Sequence, residues 1–571
     1  MIMHIRRLPH HAAVAAATTS SALLNAVYAN RGVTADTEVT PGLAALEPAQ
    51  QLRGVDAAVS LLEQQVRAGG HILIIGDYDA DGATGSALAV RGLRALGAAQ
   101  VSYLVPSRFA FGYGLTPAVV DVAAKQQPAL IVTVDNGISS AAAVTRAHEL
   151  GIPVLITDHH LSSQQLPAAA AIVNPNQPGC DFPSKFLSGV GVMFYLLAAL
   201  RSRLRETGWF TAKRPEPNLT DFLDLVALGT VADVVPLDRN NRILVEQGLR
   251  RIRAGRACPG VLALFQIAGR EVKRANAADL GFFIAPRLNA AGRLEEMSLG
   301  VECLLTDDPA RAQVFAQDLD QLNRRRHTIE SEMKQQADVL LAALNLHQTT
   351  LPPAFCLYGD DWHQGVLGII AARIRERYHR PVIAFADSGD GRLRGSGRSI
   401  DAVHLRDAVA QVAQDAPGLV EHFGGHAMAA GLTLRIEDFL QFKALFHSAV
   451  AAQLGAIAPE PEILSDGALP PQLLTLETAE LLHLAQPWGR NFPTPCFDDC
   501  FEIAQARIVG ERHLKLRVTT AAGQPIDAIG FNLAEDLPLA VGRVQLAYQI
   551  GVNDYRGVRS PQLLVQAIQS I

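Results

Sequence analysis

Cysteine is scarce in this sequence. Six cysteines are spread over 571 residues, and no two of them form a CxxC pair. So few thiols cannot build a disulfide framework, and without paired thiols a structural zinc site is not expected. A reducing compartment suits such a chain best, so we expect a cytoplasmic protein.

Long apolar runs are also missing. No stretch of 18 apolar residues runs without a charged or polar break, so the sequence predicts no membrane span. Near the start, Arg6 and Arg7 precede an alanine-rich run that faintly resembles a signal peptide. Hydroxyl residues interrupt that run at 18–21, which favours an N-terminal helix over about residues 12–30 instead of export.

A large excess of charge of either sign is absent as well. The chain has 50 basic and 56 acidic residues, which gives a net charge of −6 with histidine neutral. A basic coat for nucleic acid is therefore excluded, and a polyanion would have to be met by a local patch or by metal ions. At 49% hydrophobic and 19% charged, the composition excludes large-scale disorder. The length suggests three or four domains of about 150 residues.

Between residues 55 and 160, short apolar segments alternate with helical patterns. Helices are predicted at 55–68, 83–96, 117–126 and 141–150. The predicted strands are HILIIGDYD (71–79), VSYLVP (101–106), ALIVTVDNG (129–137) and PVLITDHH (153–160). This alternation predicts a doubly wound parallel sheet, in which ligands bind beyond the carboxyl ends of the strands.

The rest of the chain changes pattern three times. Residues 187–235 are predicted to be helical, and residues 296–345 contain a long polar helix that we interpret as a connector. Residues 352–455 predict a second α/β unit with a glycine- and arginine-rich loop. Residues 460–571 alternate like strands with little helix, which is typical of a small β-barrel.

Acidic residues and histidines cluster where the predicted strands and helices end. The candidates are Asp77, Asp79, Asp81, Asp135, Asp158, His159, His160 and Asp233. A single Asp at such a position is usually a helix or turn cap, and two histidines alone could lie on a surface. Their joint occurrence at one sheet edge instead predicts a site for Mg²⁺ or Mn²⁺, with the imidazoles favouring Mn²⁺.

Four of these segments, in this order and spacing, resemble the four motifs of the DHH phosphoesterases. They are GDYDADG (76–82), VDNG (134–137), DHH (158–160) and ADVVPL (232–237). Nearly the whole chain also resembles the single-strand-specific 5′→3′ DNA exonucleases of this superfamily. That second resemblance is carried by VPSRFAFGYGL (105–115), PRLNAAGR (286–293), LDQLNRRRHTIE (319–330), GSGRS (395–399) and GGHAMAAGL (424–432).

The resemblance implies a role for each metal ligand. Asp135 would bridge two ions, and Asp79 would hold one of them with Asp77 nearby. Pyrophosphatases of the superfamily have a histidine where this chain has Ile75. This departure suggests that one ion is held more loosely here.

The second ion would be held by Asp81, His159 and Asp233, while His160 would face the scissile phosphate. The expected catalytic residues are therefore Asp135, His159 and His160. Two ions about 4 Å apart clamp an in-line phosphoryl displacement, and one of them lowers the pKa of bound water toward about 7. No protein nucleophile is needed, and the sequence has no GxSxG motif to suggest one.

Arginines in segments rich in glycine, serine or asparagine are the candidates for holding DNA. Arg108, Arg287, Arg293 and Arg398 are predicted to lie in loops and not on helix faces. A surface arginine is most often just solvated, but an arginine fork matches phosphate oxygens. The other expected substrate contacts are Tyr113, Asn289, Ser396, Gly425 and His426.

Two of these segments suggest how DNA would be held. Phe109, Phe111 and Tyr113 alternate with glycines and could stack bases without reading their sequence, although a hydrophobic latch is equally consistent. Ser396 and Arg398 offer a hydroxyl and a guanidinium to a terminal phosphate. Such a cradle would fix the 5′ end and so the polarity of degradation.

Five domains are expected from these patterns and the resemblance. They are an N-terminal helical extension (1–50), a DHH catalytic domain (51–250), a helical linker with the connector helix (251–345), a DHH-associated domain (346–458) and an OB-like single-strand-binding domain (459–571). In the last domain, basic residues alternate with apolar ones. A solvated face is the default interpretation, and a strand-binding face is favoured by the expected substrate.

The expected function is a single-stranded-DNA-specific exonuclease that degrades DNA 5′→3′ to 5′-mononucleotides with two Mn²⁺ or Mg²⁺ ions, in repair and recombination. Its expected partners are single-stranded DNA and, as candidates, a single-strand-binding protein and a RecQ-type helicase. We expect a monomer. Two alternatives remain open: an oligonucleotide or small-molecule phosphatase of the same superfamily, and a non-catalytic single-strand-binding scaffold.

Overall fold

The protein forms two compact units. The computed structural model describes residues 4–33, 42–112, 114–162, 165–343, 351–455, 462–510, 512–534 and 542–571, without the side chains of 108, 109 and 340–343. The larger unit comprises residues 5–321 and 463–571, and the smaller unit comprises residues 322–462 with His4. Among the described helices, none combines the length and hydropathy that crossing a bilayer requires.

A five-stranded parallel sheet is the centre of the larger unit. After β1 (His4–Arg7), its strands are β2 (His71–Gly76), β3 (Gln100–Leu104), β4 (Leu130–Val134), β5 (Val154–Thr157) and β6 (Ala171–Val173). Their order across the sheet is β3-β2-β4-β5-β6, and every neighbouring pair is parallel. The four predicted strands are confirmed, whereas β6 is too short to stand out from the alanine run before it.

Helices cover both faces of this sheet, as the alternating pattern predicts. After the N-terminal helices α1 (His11–Ala15) and α2 (Ser20–Ala29), the helices of this region are α3 (Val55–Ala68), α4 (Ala80–Ala95), α5 (Arg108–Phe111), α6 (Pro117–Ala124), α7 (Ala141–Glu149), α8 (Gly189–Glu206) and α9 (Leu223–Ala232). Helix α3 ends at Gly69, which adopts the left-handed conformation with φ of +70°. Helix α4 is buried along most of its length because β2 packs beneath it and α8 and α9 pack beside it.

A helical region follows the sheet. Its helices are α10 (Arg239–Arg253), α11 (Pro259–Ile267), α12 (Ala285–Leu294), α13 (Ser298–Leu305) and α14 (Pro309–Ala343). A π-helical turn, Leu280–Ile284, leads directly into α12. The predicted connector is confirmed as α14, which has 35 residues and passes from the larger unit into the smaller one.

The smaller unit is a second α/β unit, as predicted. Its sheet has the order β10-β11-β9-β8-β7, in which only β7 and β8 run parallel. The strands are β7 (Phe355–Gly359), β8 (Val382–Asp387), β9 (Arg392–Arg398), β10 (His422–Gly425) and β11 (Ala429–Arg435), and the helices are α15 (Leu367–Tyr378), α16 (Leu405–Asp415) and α17 (Phe439–Leu454).

The prediction of a loop around GSGRS is wrong. Residues 395–398 lie in β9, which pairs with β8 on one side and with β11 on the other. Glycine usually weakens a strand, but Gly397 packs closely here, since a Cβ would come within 2.7 Å of the Leu405 side chain. Backbone pairing on both edges therefore overrides the composition of the segment.

The C-terminal residues form a closed barrel, which confirms the predicted fold. After β12 (Glu462–Ser465) and α18 (Leu476–Leu484), its strands are β13 (Phe497–Val509), β14 (His513–Thr519), β15 (Pro525–Gly530), β16 (Arg543–Tyr555) and β17 (Val558–Ser570). They close in the order β13-β14-β15-β17-β16. Alternate residues of each strand point into the core, including the fully buried Phe497 and Tyr548.

The N-terminal helices pack on this barrel. Val14, Leu23 and Val27 belong to the same buried cluster as the barrel core. Arg31 pairs with the buried Asp466 at 2.8 Å. The predicted single helix over 12–30 is wrong, because the chain breaks between α1 and α2, where Thr19 caps α2 by accepting from the amide of Ala22.

Candidate metal centre and substrate contacts

Three neighbouring strands deliver acidic residues to one edge of the parallel sheet. Asp77, Asp135 and Asp158 each follow directly after the end of β2, β4 or β5. Their backbone amides continue the ladder, since Asp77 donates to the carbonyl of Val134 and Asp135 to that of Thr157. The sheet register itself therefore holds these side chains next to one another.

The segment 76–82, here called the acidic loop, turns from β2 into α4. Asp79 caps the helix, because its Oδ1 accepts from the amides of Asp81 and Gly82 at 3.0 Å each. The buried Asp81 accepts from the amides of Gly189 and Val190, at the start of α8, at 2.7 and 2.9 Å. Helix N-termini favour negative charge, so two helices stabilise carboxylates at this edge.

Asp135 is held in a strained position at the centre of the cluster. Its φ of +64° lies in the left-handed region, which a non-glycine residue rarely adopts. Helix α8 approaches so closely that a Cβ on Gly189 would lie 2.5 Å from the Cβ of Asp135. Backbone strain of this kind persists only where the surroundings enforce it, and it concentrates at functional sites.

Two histidines complete the cluster. The Nε2 of His159 lies 3.0 Å from Oδ1 of Asp135 and 3.5 Å from Oδ2 of Asp233, which ends α9. Within the described ranges, this buried nitrogen has no hydrogen bond of suitable geometry. A buried nitrogen without a partner beside two carboxylates matches the position of a metal ligand.

The cluster contains three sets of possible ligands, each with its ligand atoms within 4.8 Å of one another. The sets are Asp77, Asp79 and Asp135; Asp81, His159 and Asp233; and Asp135, His159 and His160. Asp135 belongs to two of these sets, so it occupies the position of a shared ligand. All the donors are carboxylate oxygens or imidazole nitrogens, which fit Mg²⁺ or Mn²⁺.

Burial and mutual repulsion raise the pKa values of three carboxylates in this cluster. Burial, followed by the charge of Asp233, raises the pKa of Asp81 to about 7. Burial and then the charge of Asp79 raise the pKa of Asp233 to about 7. Burial and three or more neighbouring carboxylates raise the pKa of Asp135 well above its ordinary value. A divalent cation among them would relieve this repulsion.

Asp158 orients both histidines. Its Oδ1 accepts from the amides of His159 and His160 and from Nδ1 of His160 at 2.7 Å, and its Oδ2 accepts from Ile138. Burial opposes the charge on Asp158, but the bond to His160 lowers its pKa to about 2. Burial likewise lowers the pKa of His160, yet Asp158 outweighs it and raises that pKa to about 9.

Helix α12 supports the acidic loop from the other side. Asn289, predicted to contact substrate, accepts through Oδ1 from the amide of Ala80 at 2.8 Å. Gly292 lies so close that a Cβ there would be 1.8 Å from the carbonyl oxygen of Tyr78. These two residues therefore position the loop that carries three of the carboxylates.

The prediction that Arg287 and Arg293 lie in loops is wrong. Both lie on α12, because Pro286 suits the first turn of a helix and the following residues favour its continuation. Arg287 is also paired, with its Nη2 at 2.8 Å from Oδ1 of Asp320 and both side chains largely buried. The sequence did not suggest this ion pair.

Ser396 and Arg398 lie in the smaller unit, on strand β9 and not in a loop. Alternate strand residues share a face, and both side chains lie against Gly368 in the first turn of α15. A Cβ on Gly368 would come within 2.7 Å of Nη2 of Arg398 and 3.0 Å of Oγ of Ser396. A hydroxyl, a guanidinium and a helix N-terminus thus meet at one point.

Four predicted substrate contacts remain, and the structure describes two of them in full. Gly425 has φ of +139°, and the amide of the exposed His426 donates to Ala429 in the turn between β10 and β11. The prediction of a loop at Arg108 is wrong as well, because Arg108 begins the short helix α5. The side chain of Arg108 and the whole of Tyr113 lie outside the described residues.

Sequence reasoning missed the role of one residue of the larger unit's site and missed a second residue altogether. Asp158 was a candidate of the acidic cluster, but its role in orienting both histidines was not foreseen. Asn136 follows Asp135 and donates through Nδ2 to the carbonyls of Ile75 and Val134, at 3.1 and 2.9 Å. A buried polar residue directly after a strand-end ligand was the available signal.

Comparisons with known proteins agree with this architecture. Three family models match the chain: the DHH family N-terminal domain at residues 71–230, the DHHA1 domain at 351–452 and the RecJ OB domain at 465–567. The single-stranded-DNA-specific exonuclease RecJ of Escherichia coli K12 is 51% identical over 553 residues, which cover 96% of each chain. The chain belongs to the RecJ family. The recognised resemblance and the fold class are thereby confirmed.

Solved RecJ structures extend the likeness to three dimensions. The crystal structure of RecJ from Thermus thermophilus in complex with Mn²⁺ matches with a TM-score of 0.79 and 33% identity, covering all of this chain and 80% of that one. The Mg²⁺ complex of RecJ from the same organism matches with a TM-score of 0.75 and 32% identity, covering 100% of this chain and 79% of that one.

Proposed function

We propose that this chain is a metal-dependent exonuclease that degrades single-stranded DNA from the 5′ end to 5′-mononucleotides. The observation that carries the proposal is Asp135, a strained and buried carboxylate shared by two sets of metal ligands. The named activity of the RecJ relatives supports the substrate, and the Mn²⁺ and Mg²⁺ in RecJ structures support the ions.

The ligand sets divide between two ions. Asp77 and Asp79 would hold one ion, Asp81, His159 and Asp233 would hold the other, and Asp135 would bridge them. When bound, such a pair of ions supplies an activated water and stabilises both oxygens of an in-line phosphoryl displacement. Imidazole in the ligand set favours Mn²⁺ without excluding Mg²⁺.

His160 and Asp158 work as a pair in this proposal. Asp158 accepts a hydrogen bond from Nδ1–H of His160, so the imidazole keeps one orientation and would present Nε2 to the scissile phosphate. Because the pair holds positive charge on His160, the phosphate meets a cationic donor. Asp158 is thus a positioning residue, and His160 acts on the phosphate.

The 5′ end is assigned to the cradle of Ser396, Arg398 and the first turn of α15. A guanidinium, a hydroxyl and a helix N-terminus together suit a phosphate with a free end. Arg108 remains the candidate for a further contact. Holding the terminal phosphate would set the direction of degradation.

The barrel is assigned to binding of the strand. On neighbouring strands β13 and β14, Arg507 lies directly opposite Lys515, and Gln505 lies opposite Arg517. Lys515 is paired with Asp527 at 3.4 Å, whereas Arg507 is exposed and has no ion pair among the described residues. The guanidinium of Arg507 would bind a backbone phosphate, and the match to the RecJ OB domain agrees.

The cellular setting follows from the same proposal. We assign the protein to DNA repair and recombination in the cytoplasm, as a monomer, with a single-strand-binding protein and a RecQ-type helicase as its candidate partners. All six cysteines are free thiols, five of them buried, which supports a reducing compartment. The clustering of every expected carboxylate and both histidines argues against a non-catalytic scaffold.

The test uses purified full-length protein and oligonucleotides labelled at either end. With Mn²⁺ or Mg²⁺, single strands should be shortened from the 5′ end and mononucleotides released, while blunt duplexes and EDTA-treated reactions stay intact. Release of inorganic phosphate alone would indicate a phosphatase. Binding without any cleavage in either metal would indicate a scaffold, and each of these results would contradict the proposal.

A further inference from the structure

An arginine from the C-terminal region lies beside the metal centre. Arg490 stands at the tip of a tight turn in which Gly489 and Phe492 exchange two backbone hydrogen bonds, at 2.8 and 3.1 Å. Asn491 completes the turn with φ of +60°. Neither the sequence patterns nor the motifs assigned above include this residue.

The turn is anchored rigidly. The ring of Trp488 stacks on that of the buried Phe492, with centroids 5.2 Å apart and an interplanar angle of 11°. Arg242 lies over the Phe492 ring, 4.2 Å from its centre. Arg31 lies 5.2 Å from the centre of the Trp488 ring. Aromatic and cation–π contacts of this kind fix the turn on the larger unit.

The same turn is bonded to the segment that follows Asp233. The amide of Leu237 donates to the carbonyl of Arg490 at 2.8 Å. Gly489 approaches so closely that a Cβ there would lie 2.7 Å from the side chain of Leu237. Between Asp233 and Leu237, Val234 has φ of +57°, which a β-branched residue adopts only under constraint. Arg490 is thus held by a residue only four positions from a metal-ligand candidate.

The side chain of Arg490 is available for a ligand. It is exposed, and among the residues that the structure describes its guanidinium makes no hydrogen bond and no ion pair. Its positive charge acts on Asp233, opposing the burial and the charge of Asp79 that raise the pKa of this carboxyl. A cation this close to the centre, and not neutralised by a partner, attracts an anion that enters there.

We propose that Arg490 is a substrate-binding residue that contacts a phosphate of the nucleic-acid strand next to the Asp233 side of the metal centre. This inference rests on the proposed function and deepens it, because the C-terminal region would then complete the catalytic site as well as bind the strand farther away. Asp233 lies just beyond the DHH match and Arg490 lies inside the RecJ OB match. The contact therefore joins two separate parts of the chain.

A phosphate is the anion that this geometry favours. The guanidinium fork matches phosphate oxygens in two parallel hydrogen bonds, and the carboxylates of the centre repel every anion that does not also bind the metal ions. The backbone of a single strand crosses the site with one phosphate per nucleotide. Arg490 would bind one of these phosphates and so fix the strand relative to Asp233.

The experiment compares Arg490→Gln and Arg490→Lys with Arg256→Gln as a matched control. Arg256 is also exposed, but it lies just past the far end of α10, the helix whose N-cap, Asp238, lies near Leu237. At 1.5 Å per residue, α10 separates the two ends by about 22 Å. Wild-type cleavage of a 5′-phosphorylated single strand is measured first, since its absence would refute the proposed function itself.

Binding is then measured by fluorescence anisotropy in an Asp135→Ala background over a range of salt concentrations. Arg490→Gln should weaken binding about tenfold and reduce the slope of log affinity against log salt by about 0.7, the value for one phosphate contact to a single strand. Arg490→Lys should restore the slope but only part of the affinity, and Arg256→Gln should change neither.

In the active protein, Arg490→Gln should raise KM and leave the Mn²⁺ concentration for half-maximal activity unchanged. An unchanged salt slope in Arg490→Gln, while the wild type cleaves DNA, would overturn the inference. A shifted Mn²⁺ requirement with unchanged DNA affinity would also overturn it, because Arg490 would then act only by tuning Asp233.

Discussion

Replacing Asp158 by Asn tests the organisation of the two histidines. In the wild type, Oδ1 of Asp158 accepts three hydrogen bonds and Oδ2 accepts one from the amide of Ile138. If the oxygen of the Asn side chain takes the place of Oδ1, its NH₂ group takes the place of Oδ2 and faces the amide of Ile138. Two hydrogen-bond donors then face each other. The three remaining bonds lose the negative charge that strengthens them.

The expected loss of stability is about 3–5 kcal/mol, the range for removing one partner of a buried ion pair. This loss of stability should depend on pH. The raised pKa of His160 stabilises the folded protein fully below about 6.5, and this contribution fades as pH rises toward 9. The lowered pKa of Asp158 stabilises the folded protein above about pH 4, and this contribution is lost as the pH falls toward 2. The difference between variant and wild type should therefore be largest between about pH 4 and 6.5.

The assay is an NMR titration of the His160 ring in metal-free protein, combined with urea unfolding of the same samples. The pKa of His160 should fall from about 9 in the wild type toward the ordinary value in Asp158→Asn. Asp121→Asn is the control, because Asp121 forms an exposed ion pair with Arg146, and the loss of such a pair should change stability far less. If His160 still titrates near 9 in Asp158→Asn, or both variants lose equal stability, the reasoning is refuted.

Three further predictions concern the metal centre and the barrel. Because Asp81 and Asp233 have pKa values raised to about 7, Mn²⁺ should bind at least about tenfold more tightly at pH 8 than at pH 6 and release protons, which calorimetry in two buffers detects. Gly292→Ala should displace the acidic loop and weaken Mn²⁺ binding without affecting the smaller unit, as limited proteolysis with and without metal would show. Deleting residues 463–571 should expose the apolar faces of α1 and α2 and cause aggregation, so a monomeric truncated protein would contradict the shared core.

The sheet and its ligands were predictable because strand ends in a parallel sheet share one edge. Short apolar strands and intervening helices have strong periodic patterns, and Asp77, Asp135 and Asp158 follow such strands directly. The pairing of β2 with β4 and of β4 with β5 brings these three residues together. The alternating pattern already predicts a parallel sheet, so this pairing was within reach of the sequence.

Other features depend on contacts that periodicity does not encode. The glycines of residues 395–398 suggested a loop, but pairing with β8 and β11 makes a strand. Asn289 was expected to touch substrate because of its motif, whereas its partner is the amide of Ala80 in the acidic loop. Arg490 and Leu237 are far apart in the chain, so only the folded structure brings them together.

The most direct test of the account is the number of Mn²⁺ ions bound with and without Asp135. Electron paramagnetic resonance of the metal-free protein titrated with Mn²⁺ should show two ions per wild-type chain, with a spin-coupled signal from ions about 4 Å apart. Asp135→Ala should lose the coupled signal and hydrolysis together, while single-stranded DNA still binds. A single ion in the wild type, or near-normal nuclease activity in Asp135→Ala, would contradict the shared-ligand centre.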